Sequence, residues 1–75
     1  MRTYTILITP EPDGSAYNVI VPALPGCVTY GATVAEARAM AEEAIIGWIE
    51  AMTKRGEPIP EETEPVQVTR VTVAA

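Results

Sequence analysis

Ten aspartates and glutamates, five basic residues, three tyrosines, one cysteine and no histidine are the side chains of this 75-residue chain on which chemistry can rest. Without histidine there is no evident general base near neutral pH. Cys27 follows the turn Leu24-Pro25-Gly26 in a β-prone run, with no imidazole to activate it, so it reads as a small buried side chain rather than a nucleophile. Glu57, Glu61, Glu62 and Glu64 cluster in a proline-bearing stretch, but that stretch lacks the Asp/Asn spacing and the glycine of a calcium loop. No catalytic residue, metal ligand or cofactor site is assigned. What remains is recognition. Glu11 and Asp13 flank a turn, where carboxylates either meet basic side chains of a partner or simply remain solvated, and the Glu57–Glu64 cluster admits the same two readings.

The elements that carry these residues follow from period and punctuation. Thr3 to Thr9 alternates, with Tyr4, Ile6 and Ile8 on one face, and is rich in β-branched residues, which predicts a strand. Pro10-Glu11-Pro12-Asp13-Gly14-Ser15 supplies prolines without ladder donors and an Asp-Gly turn, so the next alternating run, Ala16 to Val21, pairs antiparallel with the first. Cys27 to Tyr30, closed by Gly31, predicts a third strand. Thr33-Val34-Ala35-Glu36 is a capping-box pattern that opens a helix. Its apolar stripe is Val34, Ala37, Ala41, Ala44 or Ile45, Trp48 and Met52, and Lys54, Arg55 and Gly56 mark its end. A last strand is expected from Val66 to Val73. Its pattern changes phase between Val68 and Val71, which calls for a bulge near Thr69-Arg70 or for burial on both faces. The fold class is α+β, in the order β-β-β-α-β, with one long helix packed on one face of an antiparallel-rich sheet.

Composition sets the remaining bounds. A chain that is 48% apolar and 20% charged folds. At this length it hides only roughly 60% of its unfolded surface, and one cysteine without histidine supplies neither an internal disulfide nor an evident zinc site. A homo-oligomer, dimer or tetramer, is therefore expected. A helix of some 20 residues is about 30 Å long and outruns a small sheet, so Ile46, Trp48, Ile49 and Met52 are the expected subunit contact. For Trp48, core and interface are equally good readings. A net charge of −5 argues against a nucleic-acid surface and for encounter with a basic partner. No apolar run approaches the ~18 residues of a membrane helix, and Met1-Arg2-Thr3-Tyr4 leads straight into alternation rather than a signal sequence, so the expected location is the cytoplasm.

A strand ending in Val21-Pro22, then Ala23-Leu24-Pro25-Gly26-Cys27-Val28, Tyr30-Gly31, the capped start Thr33-Val34-Ala35-Glu36-Ala37 and the later Gly56-Glu57-Pro58-Ile59-Pro60 together resemble the HicB family of antitoxins from bacterial toxin–antitoxin pairs. The resemblance runs from about Tyr4 to Val73. It implies one HicB-like domain over residues 1–75, with a partial ribonuclease-H-like fold that sequesters and inhibits a small basic RNA-cleaving toxin of the HicA type. Many members carry a further DNA-binding segment. This chain stops at Ala75, so none is expected here. A working ribonuclease H needs carboxylates converging on divalent metal, and the first two predicted strands contain no Asp or Glu, so no enzymatic activity is expected. The expected toxin-facing residues are Glu11, Asp13, Tyr17, Leu24 and Pro25. The alternative is a solitary homo-oligomeric structural or regulatory domain with no toxin partner.

Overall fold

The computed structural model describes residues 1–74. Three strands, β1 (Leu7–Pro10), β2 (Tyr17–Ile20) and β3 (Val28–Gly31), form an antiparallel sheet in the order β1-β2-β3, followed by a helix, α1 (Val34–Arg55). Ile8 pairs with Val19 and Val19 with Thr29, so these three share the face turned to the helix. Leu7, Ile20 and Val28 line up across the opposite face, beside the Asn18–Tyr30 pair.

Each strand is four residues long, so β1 and β2 are shorter than the alternating runs Thr3–Thr9 and Ala16–Val21 imply, while β3 keeps its expected length one residue further on. The reason lies at the ends of β2. The Val21 amide donates to the Cys27 carbonyl at 3.0 Å, in register with the β2–β3 pairs, but the next residue, Pro22, has no N–H to offer β1, so the residues before Leu7 meet no continuing ladder on β2. They are engaged elsewhere: the Tyr4 hydroxyl donates to the Pro60 carbonyl at 2.5 Å, and the Thr5 amide and hydroxyl donate to the Glu62 carboxylate at 2.8 and 2.6 Å. Pro10 is tolerated at the end of β1 because that strand has a neighbour on one side only.

The helix begins and ends where the capping residues require. Thr33 is extended (φ −133°, ψ 165°) and its hydroxyl accepts from the Glu36 amide at 3.0 Å. Gly56 turns left-handed at φ 71°, its amide donating to Thr53 while the Glu57 amide donates to Met52, the paired bonds of a Schellman cap. Of the expected apolar stripe, Ala37 and Ala41 are fully buried, Ala44, Ile45 and Trp48 are packed against the core, and Val34 is exposed. Small residues decide this geometry. A Cβ at Gly31 would lie 2.5 Å from the Ala37 amide nitrogen, so β3 and the first helical turns meet almost backbone to backbone.

The core is correspondingly thin and has two parts. Val19, Ala37 and Ala41 form one, flanked by Ile6, Ile8 and Tyr17. Val21, Leu24 and Cys27 form the other, flanked by Tyr4, Ile6, Ala44, Ile45 and Trp48. Twenty-two helical residues extend about 33 Å, whereas a four-residue strand spans about 14 Å, so the helix overhangs the sheet.

The expected fourth strand is absent: none of the described residues from Val66 to Val73 is paired as a strand, and no bulge forms at Thr69-Arg70. Gln67, Val68 and Thr69 lie beside Ile6–Thr9 across an open gap rather than in a hydrogen-bonded ladder. Val68, Val71 and Val73 are 77%, 83% and 74% exposed.

Candidate interaction surfaces

The β1–β2 turn is built by its own polar groups. The Gly14 amide donates to the Glu11 carbonyl and the Glu11 amide to the Ala16 carbonyl, both at 2.9 Å, with Gly14 at φ 75°. The Asp13 carboxylate accepts from the Ser15 hydroxyl at 2.6 Å and from the Ser15 amide at 2.9 Å, which holds its pKa below the ordinary aspartate value. Glu11 accepts from the Asn18 side-chain amide at 2.6 Å. Two carboxylates are thus fixed at one tip of the sheet, Asp13 fully charged at neutral pH and facing water. Tyr17 stands near that tip, half-buried against the Val19–Ala37–Ala41 cluster.

The β2–β3 turn lies at the other end of β2 and is a structural staple. Leu24 is 1% exposed, its amide bonded to the Val21 carbonyl and its carbonyl to the Cys27 amide, each at 3.0 Å. Gly26 takes φ 78°, and the Pro25 carbonyl accepts from the Trp48 indole N–H at 3.0 Å. The five residues expected to face a toxin therefore divide. Glu11, Asp13 and Tyr17 gather at one end of β2, and Leu24 and Pro25 sit at the opposite end, about 15 Å away along the strand. The Leu24 side chain is core, so its part in any contact is to shape the turn that presents Pro25.

The four helix residues expected at a subunit contact divide as well. Ile46 and Trp48 point about 160° apart around the helix. Trp48 packs on the Val21–Leu24–Cys27 cluster, which gives it the core role, and Met52 is half-buried. Ile46, half exposed, and Ile49 line a groove of about 700 Å³ between β1 and the helix, floored by Tyr4, Ile6, Ile8, Ala41 and Ile45, with Arg2, Arg38 and Glu42 also on its lining.

Two features went unread in the sequence. The outward face of the sheet carries Ile20, Val28 and Tyr30 at 49%, 63% and 67% exposure, an apolar patch that the helix does not cover. Alternation placed Ile20 opposite Val19, but only the β2–β3 register, with Ile20 facing Val28 and Asn18 facing Tyr30, shows that these side chains converge. The second is Glu62. It is not simply part of a solvated linker, because its two bonds from Thr5 bind the post-helix segment to the start of the chain and lower its pKa. Arg2 and Glu61 add a 3.8 Å exposed ion pair beside it. Cys27 is buried and free, and its desolvation raises the thiol pKa, as an inert core position requires. Among the described residues no cluster of potential metal ligands occurs, and no helix is long and apolar enough to cross a membrane.

Comparison with known proteins bears on what these surfaces serve. The family model described as HicB-like antitoxin of bacterial toxin–antitoxin system matches residues 4–72. The chain is 51% identical over 57 residues to UPF0150 protein Ta0767 of Thermoplasma acidophilum, covering 76% of this chain and 81% of that one. It is 39% identical over 59 residues to UPF0150 protein ssr1765 of Synechocystis, covering 79% and 73% respectively. The match runs through both turns, all three strands, the helix and the post-helix segment, and on that ground the chain belongs to the HicB-like antitoxin family.

Proposed function

We propose that this protein is a binding module that sequesters and inhibits a small basic RNA-cleaving toxin of the HicA type in the cytoplasm, and that it acts by occlusion rather than catalysis. The observation that carries the reading is the family match over residues 4–72. Two surface features support it. The net charge of −5, with Glu11 and Asp13 held at the sheet tip, favours encounter with a basic partner. The adjoining patch of Ile20, Val28 and Tyr30 offers the apolar centre that a stable contact needs, with Asn18 and the turn carboxylates as its polar rim. Pro25 remains in the proposed contact at the far end of β2, and Tyr17, whose side chain packs on the helix side of the sheet, is retained only at the edge of the turn. The partial ribonuclease-H-like reading of the fold belongs here too, supported by three antiparallel strands, a long helix and a chain that returns alongside β1.

A tagged chain isolated from its own host, with the co-eluting proteins identified by mass spectrometry, tests the reading. The expected result is stoichiometric recovery of a small basic protein that cleaves RNA once separated from this chain. Recovery of this chain alone across growth and stress conditions overturns it. The second reading, a homo-oligomer without a toxin, rests on the apolar groove at Ile46 and Ile49. In that case I46D/I49D lowers the mass of the assembly and no other protein co-elutes from the host.

A further inference from the structure

The two edges of the sheet are finished differently. Along β1, Tyr4 and Thr5 are bonded to Pro60 and Glu62, Gln67–Thr69 lie beside Ile6–Thr9, and Pro10 ends the strand, so little of that edge is left for another chain. The edge of β3 carries none of these devices. Cys27-Val28-Thr29-Tyr30-Gly31 holds no charge and no proline, and β3 has its one neighbour in β2.

Register decides which backbone groups that edge offers. The Val21 amide donates to the Cys27 carbonyl, and the pairs Val19–Thr29 and Tyr17–Gly31 follow in the same register at steps of two, so Cys27, Thr29 and Gly31 turn their backbone polar groups to β2. Val28 and Tyr30 therefore turn theirs away from it. No described residue bonds these two amides and two carbonyls on the open side. The side chains of the same two residues are 63% and 67% exposed, and with Ile20 and Asn18 they border a shallow hollow of about 590 Å³. Two residues thus offer both the hydrogen bonds and the apolar surface that an added strand uses. Charge gives the edge a direction. Asn18 pairs with Tyr30 and donates to Glu11, so Glu11, with Asp13 in the adjoining turn, stands at the Gly31 end of β3, whereas the Pro22–Gly26 turn at the other end holds no charged residue.

We infer that the toxin bound by this chain docks by adding one of its own strands to the open edge of β3. The inference rests on the reading above that a basic toxin is bound, and it assigns the manner of binding. The incoming segment is extended, exchanges hydrogen bonds with the Val28 and Tyr30 backbones, lays an apolar side chain over Ile20, Val28 and Tyr30, and carries a Lys or Arg where it passes Glu11 and Asp13.

Val28→Pro tests this on the whole chain. It removes one edge amide and nothing from the β2 ladder, because that N–H points away from β2 at the first residue of an edge strand, where proline is accommodated. Val28→Ala removes the side chain and keeps the amide. In titration calorimetry against the co-purified toxin, V28P is expected to bind at least about tenfold more weakly than V28A, since a carbonyl of the partner is left buried without its donor. Amide exchange followed by NMR reads the native chain directly, whatever V28P does to folding. Saturating toxin is expected to slow the Val28 and Tyr30 amides at least about tenfold more than that of Thr29, which is already turned to β2. Equal affinities of a folded V28P and V28A, or no extra slowing at Val28 and Tyr30, overturn strand addition while leaving toxin binding in place. Failure to recover any toxin overturns both. Protection of these two amides in the free chain that grows with its own concentration assigns the edge to a second copy and overturns the inference as well.

Discussion

Single residues in this protein divide into those that hold the fold and those that face outward, and exposure alone does not tell them apart. Glu62 is the instructive case. Its folded pKa is depressed by the two bonds from Thr5, so the stability it adds is present above its ordinary value of 4.5 and is lost as pH falls through the lowered one. Thermal melts between pH 6 and pH 3 are therefore expected to show a shallower acid decline for Glu62→Gln than for the native chain, and identical declines would remove the assigned role. Leu24 acts through burial. Truncation to alanine empties the centre of the Val21–Leu24–Cys27 cluster, and a loss of about 3 kcal/mol is expected in a urea titration. The Leu24-Pro25-Gly26 turn is fixed by its own hydrogen bonds and by the indole of Trp48, so the Leu24 side chain serves the core while the turn holds Pro25 in place.

Elements are governed by how closely backbones approach. β3 and α1 are in near-direct contact at Gly31 and Ala37, where an added methyl group would lie within 2.9 Å of three helix backbone atoms. Gly31→Ala is accordingly expected to cost about 1–3 kcal/mol, because the helix backbone cannot give way as a flexible side chain would, and a chemical melt less than about 1 kcal/mol from native would show that the layers separate easily. The N-cap works within a single element. Thr33→Ala is expected to lose about 1 kcal/mol, read in the same melt, since one amide of the first turn loses its acceptor. Both ends of the helix were readable from sequence because caps are local: a hydroxyl three residues before an amide, and a glycine free to turn left-handed. Strand limits were not, because a strand ends where its neighbour stops offering a ladder, and the residues before Leu7 find Pro22 opposite them, with no N–H to donate.

At the scale of the whole molecule, the six buried apolar side chains among the described residues leave apolar regions in water: the outward sheet patch, the groove under Ile46 and Ile49, and the valines after Pro65. A protein this small gains stability from each such region that a partner covers. The sheet patch makes a clean prediction. Tyr30→Ser combined with Val28→Thr leaves the core untouched and is expected to change stability by less than about 0.5 kcal/mol while weakening toxin capture at least tenfold, measured by titration calorimetry against the co-purified partner. Undiminished affinity would place the toxin on another surface. The sequence by itself determined the family, the order of the first three strands and the helix, and the helix ends, because residue types, caps and hydrophobic period are properties of neighbours along the chain, while the fourth strand it predicts does not form among the described residues. Only the tertiary structure decided that Trp48 is held by the Pro25 carbonyl, that Ile20, Val28 and Tyr30 meet on one face, and that the run from Val66 finds no ladder beside β1. Those facts depend on which strand stands next to which and in what register, and pairing between residues distant in sequence leaves no local signal to read.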